Sequence, residues 1–233
     1  GLSAMSHPAR AQAGRTPAAE DASVQLDTLS VEGTGTARGV VPAYAGGQVA
    51  QGGRLGLLGN AETKKSPFSV SSYTDRFIRD RQASTASEAL ALDPSVRATQ
   101  TTGAPFDSFY IRGFPINEGT SGEFAFDGVY GVAPSFRVFT DYAERIEVLK
   151  GPSAALSGVA PNGGVGGVIN VVPKKPVFVP INAARAVVGT DGVARLALDS
   201  GGAIGQAEFG DTFAYRLNVS GSRADGWIRP EGA

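Results

Sequence analysis

The sequence has no cysteine, and its only histidine is His7, near the start of its 233 residues. The lack of cysteine excludes disulfide scaffolds, thiolate zinc sites and cysteine nucleophiles. The lone histidine lies in a segment without hydrophobic periodicity, which excludes an imidazole metal site and a Ser-His-Asp triad. We therefore expect no catalytic residue, no metal site and no enzyme activity.

Motifs that bind phosphate or calcium, or that carry out acyl transfer, are also missing. The sequence has no G-x-x-x-x-G-K-[ST], G-x-S-x-G or D-x-D-x-D-G pattern, and no G-x-G-x-x-G follows a predicted strand. No run of about 18 apolar residues occurs, which excludes a helical membrane span but not weakly hydrophobic membrane β-strands. Only 18% of the residues are charged, with a formal net charge of -1, so we expect no nucleic-acid partner.

Glycine and proline are abundant, with 32 and 14 residues, and indicate a chain rich in turns. Near the start, Ala11-Gln12-Ala13 has the small-x-small form of a secretory cleavage site. Residues 1–13 are therefore predicted to be a signal-peptide remnant, with a flexible alanine-rich leader as the alternative. Residues 14–45 are interpreted as a flexible segment, in which residues 26–31 alternate like a short strand.

Ordered structure is predicted from about Lys64, as a mixture of short helices and short strands. Thr74 is a candidate N-cap for one helix, and Thr85 with Glu88 forms a capping box for a second helix that ends before Pro94. Predicted strands span residues 66–71, 108–112, 123–129, 145–149 and 167–172, and a short helix spans 151–158. This mixture predicts a compact α+β unit.

After Pro180 the pattern changes to longer stretches in which apolar and polar side chains alternate strictly. The apolar set is Ala194, Leu196, Leu198, Tyr215, Leu217 and Val219, and the polar set is Arg195, Asp199, Arg216, Asn218, Ser220 and Ser222. The residues alone leave two alternatives, a half-buried hairpin of a soluble sheet and membrane β-strands.

Four motifs carry a resemblance to a known family. They are Phe109-Tyr110-Ile111-Arg112-Gly113-Phe114, Phe126-Asp127-Gly128-Val129, the run from Glu144 to Pro152, and the glycine-rich run from Gly163 to Pro176. In this order they resemble the plug domain of TonB-dependent outer-membrane siderophore receptors. The resemblance implies a small mixed-sheet plug domain with short helices over residues 46–178, seated in a transmembrane β-barrel of about 22 strands. Residues 179–233 would then be the first antiparallel strands of a barrel that is incomplete here.

The resemblance also gives roles to an upstream segment and to two arginines. In the family, a TonB box adds as a strand to the periplasmic protein TonB through main-chain hydrogen bonds. The predicted box is Leu26, Asp27, Thr28, Leu29, Ser30 and Val31, with a chance strand-like linker as the alternative. Arg112 and Arg145 would contact acidic residues of the barrel wall. Substituting Arg145 should then matter little in a plug without its wall, and the alternative is that both arginines lie on a solvated face.

Candidate substrate contacts lie in the loops after Arg112 and Val129. The aromatic candidates are Phe114, Tyr130 and Phe136, and the polar candidates are Asn117, Glu118 and Ser121. The alternative for each aromatic side chain is that it anchors its loop to the plug. Iron would arrive as a siderophore chelate, so no cofactor is expected.

The implied function is energy-coupled import of a ferric siderophore across the outer membrane of a Gram-negative bacterium. The chain would supply the gate, the TonB-coupling peptide and the start of the barrel, with the plug and N-terminus facing the periplasm. Its partners would be TonB, the siderophore and outer-membrane lipid. Two strands cannot close a barrel, so we expect a fragment or a truncated product. The alternatives are a receptor for another solute, such as a corrinoid or an oligosaccharide, and a secreted soluble β-rich binding module.

Overall fold

The computed structural model describes residues 41–100, 104–116, 124–132, 136–158, 165–190, 192–205 and 213–223. The predicted TonB box at residues 26–31 lies outside the described residues, as do Asn117, Glu118 and Ser121. Within the described part of the chain, no helix has both the length and the apolar character needed to cross a membrane.

The described residues contain thirteen β-strands and three α-helices. In chain order the strands are β1 (Gly52–Arg54), β2 (Asn60–Glu62), β3 (Ser69–Thr74), β4 (Val96–Ala98), β5 (Phe109–Ile111), β6 (Phe114–Ile116), β7 (Phe124–Phe126), β8 (Val129–Tyr130), β9 (Ala143–Lys150), β10 (Gly167–Pro173), β11 (Ile181–Val188), β12 (Ala194–Ile204) and β13 (Phe213–Arg223). The helices are α1 (Asp75–Asp80), α2 (Ala86–Leu90) and α3 (Ala154–Ser157). We call residues 41–176 the mixed-sheet unit and β11–β13 the outer sheet. The predicted α+β fold is confirmed.

The mixed-sheet unit is built on a five-stranded sheet with the order β3-β9-β10-β7-β8. Strand β10 runs parallel to β7 and antiparallel to β9, so the sheet is mixed. The central strands β9 and β10 are buried on both faces, and three buried polar side chains, Arg145, Glu147 and Asn170, interrupt their apolar pattern. Ile146 and Val148 belong to a core shared with α1, α2 and the small sheet β4-β5-β6, whereas Leu149 belongs to a second core with Leu55 and Leu156.

Both predicted helix caps are present. The Thr74 side chain accepts a hydrogen bond from the Phe77 N–H, and the Thr85 side chain accepts one from the Glu88 N–H. The second half of the capping box differs from the prediction, because Glu88 Oε2 accepts from the N–H of Ser84, at 2.6 Å, one residue before the cap. The carboxylate therefore also fastens the turn that leads into α2.

A tight turn interrupts one predicted strand, and another tight turn ends a second one. Residues 123–129 were expected to form one strand, but Asp127 and Gly128 have φ values of 48° and 84° and connect β7 to β8 as a hairpin. Arg112 and Gly113, with φ values of 50° and 85°, connect β5 to β6 in the same way. Positive φ at both central residues is the type I′ geometry, which matches the right-handed twist of the paired strands.

The outer sheet is an antiparallel meander in the order β11-β12-β13. Leu198 lies opposite Ala184 on one side and opposite Val219 on the other, so the apolar side chains of all three strands share one face. The predicted alternation is confirmed, because Leu196, Leu198, Leu217 and Val219 are exposed whereas Arg195, Asp199, Arg216 and Asn218 are half-buried. The polar face lies against the mixed-sheet unit, as its ion pairs show.

Candidate functional site

Half-buried ion pairs join the outer sheet to the mixed-sheet unit. Arg195 Nη2 of β12 lies 2.5 Å from Asp141 Oδ2, and Lys174 Nζ lies 3.0 Å from Asp199 Oδ2. Arg216 of β13 donates two hydrogen bonds to the same Asp199 carboxylate, at 2.5 and 2.7 Å. A bidentate arginine–carboxylate pair fixes orientation as well as distance. We call these five side chains the ionic seam.

Further contacts place α1 at the ionic seam. Lys174 Nζ donates to the Asp141 carbonyl at 2.9 Å and lies 3.9 Å from Asp75 Oδ1. Arg185 Nη2 of β11 donates to the Arg79 carbonyl at 2.9 Å, and Arg79 is itself paired with Asp75. Strands β11 and β12 therefore hold the mixed-sheet unit through polar contacts, and Arg216 ties β13 to Asp199 of β12.

The sequence did not predict which charged side chains pair with one another in the ionic seam. The alternation did place Arg195, Asp199 and Arg216 on the polar face, which was the available signal. Their partners Asp141 and Lys174 lie in connections before β9 and after β10, where no periodic pattern marks a buried side. Pairing these groups required the three-dimensional structure.

Arg112 and Arg145 occupy different environments. Arg112 is exposed in the β5–β6 turn, which favours the alternative of a solvated arginine. Arg145 is only 5% exposed and donates from Nη1 to the carbonyl of Val41 at 2.9 Å. Burial lowers the pKa of Arg145, and the charges of Glu147 and Glu144 oppose that shift. These contacts are inside the mixed-sheet unit, and a further contact of either arginine with a barrel wall stays a prediction.

Glu147 is a buried carboxylate that fastens β1 to the central sheet. It is 3% exposed, and its Oε2 accepts from the N–H of Arg54 at 3.0 Å and from Asn170 Nδ2 at 2.9 Å. Burial raises the pKa of Glu147, while these hydrogen bonds and the charge of Arg145 oppose the rise. Arg54 also pairs with Asp127 in the β7–β8 turn, at 3.2 Å. The segment before β3 is thus held by polar contacts at several points.

A second buried carboxylate, Asp93, connects α2 to the central sheet. It accepts hydrogen bonds from Tyr73 Oη at 3.0 Å and from the Ser95 N–H and Oγ at 2.9 and 2.6 Å. Lys150 Nζ lies 2.9 Å from Asp93 Oδ2 and completes a buried ion pair. Among the described residues, no cluster of three or more acidic and histidine side chains is placed to hold a metal ion.

The three aromatic candidates for substrate contact divide into two groups. Phe136 is 71% exposed and Phe114 is also exposed, so both side chains are open to a ligand. Tyr130 instead is half-buried and packs against the second core, which favours its role as a loop anchor. Contact of any of the three with a substrate stays a prediction.

Ending the chain near Pro176 is expected to make it monomeric, whereas the 233-residue chain should self-associate. The outer sheet exposes Leu196, Leu198, Leu217 and Val219 on one face. Within the described residues β11 and β13 are its edge strands, and β13 has one further bridge, from Tyr215 to Val177. Apolar faces and open edges both promote association. Sedimentation velocity of the two chains in the same buffer measures the difference.

A matched control replaces Leu196 and Leu217 with serine in the 233-residue chain, which should reduce association without removing the outer sheet. Equal monomeric behaviour of the long and short chains would contradict the expectation and would mean that the apolar face is not adhesive.

Comparisons with known proteins agree on one family. The family model of the TonB-dependent receptor plug domain matches residues 62–165 of the sequence. The ferrichrome receptor FcuA of Yersinia enterocolitica is 37% identical over 207 residues, which cover 86% of this chain and 26% of that protein. The probable TonB-dependent receptor BfrD of Bordetella pertussis is 30% identical over 216 residues, covering 90% of this chain and 26% of that protein.

Solved structures give the same result. The ferric preacinetobactin receptor BauA of Acinetobacter baumannii superposes with a TM-score of 0.71 at 33% identity, covering 79% of this chain and 27% of the receptor. The ferric-catecholate import receptor Fiu of E. coli, in its open form, gives 0.55 at 31% identity, covering 68% of this chain and 22% of the receptor. The chain thus spans about a quarter of the length of these relatives. The resemblance carried by the sequence motifs is confirmed, and the chain belongs to the TonB-dependent receptors, whose plug domain it contains.

Proposed function

We propose that this chain supplies the gate, the energy-coupling segment and the first wall strands of an outer-membrane receptor that imports ferric siderophores with energy delivered through TonB. The observation that carries the proposal is a plug domain joined by the ionic seam to a strand meander whose other face is apolar. The relatives described as ferrichrome and ferric preacinetobactin receptors support the substrate class. Transport itself belongs to the complete receptor.

In this proposal the two faces of the outer sheet have different surroundings. The exposed leucine and valine side chains contact outer-membrane lipid, because a barrel strand alternates apolar and polar side chains across the wall. The opposite face, which carries Arg195, Asp199 and Arg216, lies inside the barrel against the plug. Burying these charges requires partners, and the ionic seam supplies them.

The substrate reaches the plug from the outer side, and TonB acts from the periplasm. The loop that includes Phe136 and the residues after Phe114 provide the contact with the siderophore, which carries its iron already coordinated, so the chain needs no cofactor and performs no catalysis. Residues 26–31 pair with TonB as an added strand. The segment between this box and β1 transmits the pull to the plug.

Replacing Leu29 with proline in the complete receptor is expected to abolish uptake and to preserve ligand binding. Proline removes one backbone donor and bends the strand that TonB must pair with. Leu29→Ala is the matched control, because it retains every backbone hydrogen-bonding group and should retain uptake. Uptake of ⁵⁵Fe-ferrichrome by whole cells and its binding to purified receptor measure the two properties. Normal uptake by the proline variant would remove the assignment of the box.

The substrate class is tested by ligand-induced quenching of the intrinsic fluorescence of the complete receptor. Ferrichrome and a ferric catecholate should quench at low concentration, whereas cobalamin and maltooligosaccharides should not. Quenching by cobalamin or an oligosaccharide alone would reassign the receptor to another solute while leaving its family unchanged.

A further inference from the structure

Residues 136–140 form one end of the loop between β8 and β9. The side chain of Phe136, the first of these residues, is exposed. Val138, two residues further on, is buried, so the chain passes from solvent into the first core within three residues. We call residues 136–140 the loop base. Phe136 belongs to the loop base, so the position of the loop base decides where Phe136 lies.

A buried carboxylate, that of Asp107, accepts a hydrogen bond from the loop base. Asp107 is 1% exposed, and its Oδ2 accepts from the backbone N–H of Val138 at 2.9 Å. Its other oxygen, Oδ1, accepts from Ser87 Oγ of α2 at 2.5 Å and lies 4.0 Å from Arg137 Nε. Hydrogen bonds to an ionised acceptor are about twice as strong as neutral ones. Asp107 therefore connects the loop base directly to α2.

Backbone hydrogen bonds complete the attachment on both sides. The Arg137 N–H donates to the Pro105 carbonyl at 3.0 Å, and the Ala86 N–H donates to the Val138 carbonyl at 2.9 Å. Thr140 Oγ1 donates to the Ala83 carbonyl at 2.7 Å. The loop base thus lies between the segment that carries Asp107 and the start of α2. Helix α2 packs into the same core as Val138.

The same segment leads to the second exposed aromatic side chain. Strand β5 begins two residues after Asp107, and its hairpin with β6 carries Phe114. The Asp107 carboxylate therefore lies between the segment that leads to Phe114 and the loop base that carries Phe136. A serine or an apolar residue at position 107 could not accept from Val138 and Ser87 at once through two oxygens.

We propose that Asp107 is the positioning residue for the loop base and so sets the affinity of the receptor for its ligand. The inference about affinity rests on the proposed function, in which the loop that includes Phe136 contacts the siderophore. Asp107 itself is buried, and in this proposal it acts through Val138 and α2.

The test compares Asp107→Ala with Asp107→Asn in the complete receptor. Asparagine can accept from Val138 through Oδ1 and donate through Nδ2 to Ser87 Oγ, so it should restore the geometry that alanine loses. Amide hydrogen exchange should be at least about tenfold faster across residues 136–140 in the alanine variant, as expected for loss of a hydrogen bond to a charged group. Exchange in β9 and β10 should be unchanged, and the asparagine variant should match the wild type.

Ferrichrome binding provides the second readout. The dissociation constant should rise about tenfold in Asp107→Ala and stay within about threefold of wild type in Asp107→Asn, which follows if one hydrogen bond positions the loop. Equal acceleration of exchange in the loop base and in β9 would show a role in global stability alone and would overturn the proposal. Unchanged exchange in the alanine variant, or no restoration by asparagine, would overturn it as well.

Failure of the proposed function gives a different pattern. If the wild-type receptor bound neither ferrichrome nor a ferric catecholate, the proposed substrate class would fail, while hydrogen exchange would still decide whether Asp107 positions the loop base. If ferrichrome bound equally well to wild type and Asp107→Ala despite faster exchange, the link between the loop base and affinity would be refuted.

Discussion

Replacing Lys150 with methionine in a chain ending at Pro176 is expected to lower the free energy of unfolding by about 3–5 kcal/mol. Lys150 Nζ lies 2.9 Å from Asp93 Oδ2, and the carboxylate is fully buried. Methionine fills a similar volume but leaves Asp93 as a buried charge without a cation, and an unpaired buried charge is far more costly than the pair is favourable. Urea unfolding followed by circular dichroism measures the change.

The matched control is Lys65→Met. Lys65 pairs with Glu62 at 3.0 Å, but its side chain is 74% exposed, so the control should cost no more than about 1 kcal/mol. A loss for Lys150→Met that does not exceed the loss for Lys65→Met would mean that Tyr73 and Ser95 alone satisfy Asp93.

Acid titration gives an independent measure of the same pair. Burial by itself would raise the pKa of Asp93, but hydrogen bonds from Ser95 and Lys150 outweigh burial and hold the pKa below its usual value. The unfolded chain has the ordinary aspartate pKa of about 3.9. The stability that Asp93 contributes is therefore present above about pH 4 and is lost as the pH falls through the folded value. Lys150→Met should lose less stability than wild type over this acid range.

Replacing Arg145 with glutamate in the chain ending at Pro176 is expected to cost about 3–5 kcal/mol. The new carboxylate would lie in a buried site beside Glu147, which is itself enclosed, and the hydrogen bond from Arg145 to the Val41 carbonyl would be lost. The sequence alone predicts a small effect in a plug without its wall. The structure changes that expectation, because the partners of Arg145 lie within the plug's own chain. Thermal and urea unfolding measure the loss.

Arg112→Glu is the matched control, since Arg112 is exposed in the β5–β6 turn and its substitution should change stability by no more than about 0.5 kcal/mol. Similar small losses in both variants would show that Arg145 is not needed inside the plug. A larger loss for Arg145→Glu in the complete receptor than in the shorter chain would support an added contact with the barrel wall.

Several features could be predicted from the sequence because neighbouring residues alone cause them. Thr74 and Thr85 cap helices through N–H groups three residues ahead, and alternation along β12 and β13 follows from the geometry of a strand. The Asp127-Gly128 turn carries a local signal as well, since Asp-Gly favours type I′ hairpins, although the prediction placed one continuous strand there.

Other features depended on the tertiary structure, because their partners are far apart in the chain. Arg54 and Glu147 are separated by 93 positions, and Lys174 meets Asp199 only after the outer sheet folds back on the plug. Periodicity shows which face of a strand is polar but not which distant charge will lie against it. The sequence by itself therefore determined the family, the fold class and the two faces of the outer sheet. Only tertiary packing decided that Arg145 is enclosed within the plug and that the ionic seam holds the outer sheet in place.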